Sequence, residues 1–124
     1  MSLPIVCHVS DKVEGAIYIG RAMPRRGLKA SPLANPHKIG VDGDRRTVIA
    51  HFEVSLMREL RAHDPAVVEA LIAVRQAPAI SCWCRRLGEP WTEANACHGE
   101  VIVGLLERFT DGELRGMPMT DVPS

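Results

Sequence analysis

Aromatic side chains are scarce in this 124-residue chain, at 4%. That is too few for a platform on which the bases of single-stranded nucleic acid stack. Charge of one sign is also missing. Fifteen basic and fifteen acidic residues cancel, which argues against a broad electrostatic surface for nucleic acid and leaves room only for a local patch. No stretch reaches the roughly 20 apolar residues that cross a bilayer. The start, Met1-Ser-Leu-Pro-Ile-Val-Cys-His8, lacks a basic segment followed by a long apolar run, so no secretory leader is expected. These absences predict a soluble, cytoplasmic protein without a membrane partner. Also missing are a phosphate-cradling glycine loop, a paired-carboxylate motif, a Ser-His-Asp order and HExxH. The zinc deaminase pattern is absent too. Most familiar small enzymes are thereby excluded.

What is present suffices for one core. At 46% apolar content the chain predicts a single domain over 1–116 and a proline-containing flexible tail over 117–124. Residues 4–9 and 16–20 are β-prone and flank a turn at Asp11–Gly15, which reads as a hairpin. Pro24, Pro32 and Pro36 punctuate a long irregular loop that also holds Arg21, Arg25 and Arg26. Asp44 can cap a helix from Arg45 through Leu60, with Val48, Phe52 and Leu56 on one stripe. Asp64-Pro65 opens a second helix that Pro78 ends. Ala79–Cys84 reads as a central strand, and a third helix runs from Cys97 to Asp111-Gly112. The order favours an α/β fold: a small open sheet of three or four strands flanked by about three helices.

Three of the four cysteines and one of five histidines fall in Cys82-Trp83-Cys84 and Cys97-His98-Gly99. A strand end thus faces a helix start. In a reducing compartment such cysteines are thiols or metal ligands rather than disulfides. Cys82, Cys84, Cys97 and His98 make a Cys3His set that suits tetrahedral zinc. Two features oppose it: a C-x-C on a strand holds its sulfurs farther apart than C-x2-C does, and adjacent residues in a helix splay by about 100°. The alternative for Cys82 is a small buried apolar residue. A Cys97 thiol in the first helical turn is acidified by the helix dipole and open backbone N–H groups. It then reads as a catalytic nucleophile, with His98 as acid or base, or else His98 is a cap residue bonded to a carbonyl.

Arg21 follows one strand and Arg85-Arg86 another. If those strands are parallel neighbours, the arginines converge at the carboxyl edge beside the start of the third helix, where open α/β sheets bind ligands. Guanidinium forks and helix N–H groups suit a phosphate or carboxylate. Asn35 before Pro36 shapes a tight turn or touches a ligand's polar edge.

Tyr18-Ile-Gly-Arg21, Ser31-Pro-Leu-Ala-Asn-Pro36, Arg45 or Arg46, Cys82-Trp-Cys84 and Cys97-His-Gly-Glu100 occur in that order. The pattern resembles a family of small bacterial and phage domains of unknown function, over about residues 17–109. Twelve residues between Cys84 and Cys97, and Glu100 in place of an Asp, depart from that family's usual form. The resemblance strengthens the site without naming a reaction.

The leading expectation is binding of a phosphorylated or nucleotide-like molecule, with chemistry on it an open matter. Arg21, Asn35, Arg45 and Arg85 would hold the ligand, and Cys97 and His98 would act on it. The rival is a non-enzymatic module whose cysteines are core or hold structural zinc, with the loop around Trp91 contacting a partner protein. A thiol-redox protein is a third reading, disfavoured by the lack of C-x-x-C.

Overall fold

The computed structural model describes residues 3–36, 40–83 and 97–116. Cys84, Arg85, Trp91 and the expected tail lie outside the described residues. Three strands, β1 (Ile5–His8), β2 (Ile17–Tyr18) and β3 (Ala79–Cys82), form one parallel sheet in the order β1-β3-β2. Ile5 pairs with Ala79 and His8 with Cys82, while Ile17 and Tyr18 pair with Ile80 and Ser81. All four residues of β3 are buried, the pattern of a central strand in a parallel sheet.

The expected hairpin does not form. β1 and β2 lie on opposite sides of β3 and run in the same direction. Local β-propensity placed both strands correctly but carries no information about their partner. The fully buried strand, β3, claims both neighbours. Between them, a 3-10 turn at Val9–Asp11 and left-handed Lys12 and Gly15 return the chain to the starting edge of the sheet.

The helices follow their caps. In α1 (Arg45–Arg61) the Asp44 carboxylate accepts from the Thr47 N–H at 2.8 Å. Its backbone and hydroxyl bonds from Thr47 hold Asp44 below the usual carboxylate range. In α2 (Pro65–Arg75) Asp64 accepts from Ala66 and Val67, and Pro65 occupies the first turn, where no N–H is missed. α3 spans His98–Arg108. A further helix, α4 (Asp111–Arg115), begins where the sequence reading ended the third one. Five residues are too short for an apolar period, but Thr110 and Glu113 form a reciprocal capping box.

Phe52, Leu56 and Leu60 of α1, Val67 and Leu71 of α2, and Ile102, Leu105 and Leu106 of α3 meet Ile19 and Ile80 in one core. α3 sits on β1 and β3 and packs against α1 and α2. Its approach to the sheet is close at Gly99. A Cβ there would lie 3.1 Å from Ile19, 3.3 Å from Ile80 and 3.4 Å from Val6, which stand just after β2, on β3 and on β1. The N-terminus of α3 is therefore fixed directly over the sheet.

Candidate functional site at the carboxyl edge

β2 and β3 are parallel neighbours, so the end of β2, the end of β3 and the start of α3 share one edge. Cys82 and Ile80 are two residues apart on β3 and face α3 together. Cys97 is the N-cap of α3, not its first helical residue, with an extended backbone at φ −129° and ψ 145°. Its Sγ accepts from the Gly99 N–H at 3.3 Å. The Cys97 thiol donates to Cys82 Sγ at 2.8 Å, and the Cys82 thiol donates to the Cys7 carbonyl at 3.8 Å. Both sulfurs are buried.

Because Cys97 caps the helix, the expected splay between adjacent helical side chains does not apply. His98 Nδ1 stands 3.9 Å from Cys97 Sγ. The other ring nitrogen, Nε2, is 2.9 Å from the Ile19 carbonyl. A carbonyl only accepts, so Nε2 carries a proton, and Nδ1 is the ring nitrogen that faces the thiol. Phe52 holds the ring edge-on, with centroids 4.9 Å apart. His98 is buried and bonds a carbonyl, yet one nitrogen stays directed at sulfur. The cap position itself belongs to Cys97, and His98 is the first helical residue.

The loop residues complete the junction. Arg21 Nε donates to the Asn35 carbonyl at 3.1 Å, and Asn35 Nδ2 donates to the Val48 carbonyl of α1 at 3.1 Å. Buried Asn35 thus ties the proline loop to α1. Arg45, half-buried, is the first residue of α1, one turn before Val48. The Tyr18-Ile-Gly-Arg21 block has a physical basis here. The Tyr18 ring folds over Gly20, where a Cβ would overlap it, and the hydroxyl donates to the Arg21 carbonyl at 2.6 Å.

Cys82, Cys97 and His98 are brought together, while Cys84 and Arg85 lie outside the described residues. Among the described residues no group of three His, Cys, Asp or Glu side chains is arranged for a metal ion. Two thiolates on one tetrahedral zinc stand about 3.8 Å apart, given bonds of roughly 2.3 Å. Zinc binding would require the pair to separate by about 1 Å.

Sequence reading passed over an aromatic group at the same edge. Trp83 is 37% exposed and donates through Nε1 to the Tyr18 hydroxyl at 2.9 Å. His8 meets the indole edge-on at 5.6 Å, and the Arg26 guanidinium lies 5.0 Å from its centroid. His8 and Tyr18 end β1 and β2, and Trp83 follows β3. Only knowledge of the parallel order would have gathered them. A cleft of about 550 Å³ between α1 and α3 was missed as well; Arg46, Ile49, Glu53, Cys97, Glu100 and Arg108 are among its lining residues.

The family described as a domain of unknown function, DUF4326, matches residues 5–108. The chain belongs to this family. The match opens on the first residue of β1 and closes on the last of α3. The DUF4326 unit therefore holds the whole sheet and the Cys97–His98 helix start, and α4 follows it. It also begins earlier than the sequence blocks indicated, taking in β1. No curated protein and no solved structure matches the chain.

Proposed function

We propose that this DUF4326 domain binds a phosphorylated or nucleotide-like small molecule at the carboxyl edge of its sheet, and that Cys97 and His98 act on it. One observation carries the reading: parallel β2 and β3 end beside the N-terminus of α3, where Cys97 Sγ lies 2.8 Å from Cys82 Sγ and His98 bonds the Ile19 carbonyl, two residues before Arg21. Ligands of open α/β sheets occupy this edge. Arg21 and Arg45 supply positive charge, with Arg85 a third by its place after β3. The exposed Trp83 indole offers a face for a planar group.

The chemistry available to these residues is nucleophilic. His98 Nδ1 takes the proton from the Cys97 thiol, and the thiolate gains the Gly99 N–H and the positive end of the helix. Ile19 holds the opposite N–H of the ring, which stabilises the imidazolium that results.

Calorimetric titration with adenosine monophosphate, ribose 5-phosphate and inorganic phosphate tests the proposal. Arg21→Ala and His98→Asn, each checked for a native circular dichroism spectrum, are expected to weaken binding by about tenfold or more, roughly 1.4 kcal/mol. Equal affinity in both folded variants, or no binding of any of the three probes, would overturn it. The rival is a module that binds a partner protein, with structural zinc on Cys82, Cys84, Cys97 and His98. It predicts one zinc per chain by elemental analysis and loss of the fold on chelation.

A further inference from the structure

The chain has no C-x-x-C, but the fold builds a dithiol without one. Cys82 ends β3 and Cys97 caps α3, fifteen residues later, and their sulfurs stand 2.8 Å apart. A disulfide measures roughly 2.05 Å. Closing the gap takes a movement of less than about 1 Å.

We infer that Cys97 and Cys82 are a peroxide-reactive pair, in which Cys97 attacks and Cys82 resolves. The surroundings of the two sulfurs are unequal in the sense this requires. Cys97 caps an eleven-residue helix, accepts from the Gly99 N–H at 3.3 Å and stands 3.9 Å from His98 Nδ1, the nearby group able to take its proton. Cys82 donates to the Cys7 carbonyl, an acceptor that holds it as a thiol. Cys97, though buried, is among the residues lining the cleft of about 550 Å³ between α1 and α3. Cys7 is not part of the pair: it is buried, and burial, with the Asp11 carboxylate second, raises its thiol above the usual range.

The reaction balances in two steps. Cys97 gives its proton to His98 Nδ1, and the thiolate sulfur attacks the terminal peroxide oxygen. The O–O bond breaks, the leaving oxygen takes the proton from His98, and Cys97 becomes a sulfenic acid. The Cys82 sulfur then attacks the Cys97 sulfur, the S–O bond breaks, and hydroxide leaves as water with the Cys82 proton. Two thiols lose two electrons and two protons, and one hydroperoxide becomes one alcohol, or water when the oxidant is hydrogen peroxide, and one further water. The bond would join the end of β3 to the start of α3 across the ligand edge, whether or not that edge binds an anion.

The test treats the reduced, full-length protein with one equivalent of hydrogen peroxide after its metal content is measured. The expected product is an intact chain lighter by two hydrogens. Its tryptic map should link peptides 76–85 and 87–108, with fragmentation placing the bond on Cys82 and not Cys84. Cys82→Ser should stop at a sulfenic acid on Cys97, captured by dimedone. Cys97→Ser should lose the fast reaction, slowing peroxide consumption by about tenfold or more. A link through Cys84 or Cys7, a wild-type rate in Cys97→Ser, or one bound zinc protecting these thiols would overturn the inference. The wild-type map decides the matter even if a variant does not fold.

Discussion

At the scale of single residues, Gly99 shows how tightly the site is built. Its missing side chain lets the first turn of α3 rest on Val6, Ile19 and Ile80 at once. An added methyl must push those side chains by a few tenths of an ångström, and crowding of this kind costs about 1–3 kcal/mol. Gly99→Ala is expected to lower the urea midpoint accordingly, and to move Cys97 and His98 with the helix end. At Gly104 a Cβ meets open space, so Gly104→Ala should leave the site in place and serves as the control. Glu59 gives a pH dependence. Half-burial, and behind it the Asp64 carboxylate, raise its carboxyl above the ordinary range. The folded state then binds that proton more tightly than the unfolded chain does. Stability from this group is full below the unfolded value and is lost as pH rises through the folded one. Glu59→Gln is therefore expected to gain stability at about pH 7 and to gain nothing at about pH 3, read by thermal melts at both.

At the scale of elements, the two ends of α3 are held by different means. Cys97 caps the first turn. The last turn is capped from outside by Arg75 of α2, which donates to the Leu106 carbonyl at 3.0 Å, to the Phe109 carbonyl, and to Asp111 at 2.7 Å. Its side chain is 17% exposed, so these are not the weak ion pairs of a wetted surface. Arg75→Ala leaves helix-end carbonyls open, and the expected loss is about 2–3 kcal/mol. Faster amide exchange near Leu106–Phe109 should accompany it. None of this was legible in the chain, because the partners of Arg75 stand more than thirty residues away. The helices themselves were legible from the caps at Asp44 and Asp64 and the apolar period after each. α4 is too short to show an apolar period, and its one local signal is the capping box of Thr110 and Glu113. The β1–β2 hairpin was read where none exists, since a turn signal between two β-prone runs cannot say which strand will lie beside them.

At the scale of the whole molecule, part of the site followed from sequence and part did not. A strand end and a helix start rich in Cys and His are local features, and Cys82, Cys97 and His98 do meet. The 2.8 Å approach of the sulfurs and the turn of His98 toward Ile19 depend on Gly99 and the sheet order. The gathering of His8, Tyr18 and Trp83 depends on that order as well.

The order β1-β3-β2 also governs how the chain reaches this state. Both N-terminal strands wait for a partner that lies beyond α1 and α2, since Ile5 pairs with Ala79 and Ile17 with Ile80. During synthesis the two helices can form while β1 and β2 still have open edges. The sheet closes only when β3 slots between strands made much earlier, a long-range step that pays loop entropy before it gains contacts. The cysteine that ends that strand is thus assembled with its partner at the last stage, and the reactive pair exists only in a chain that has finished folding.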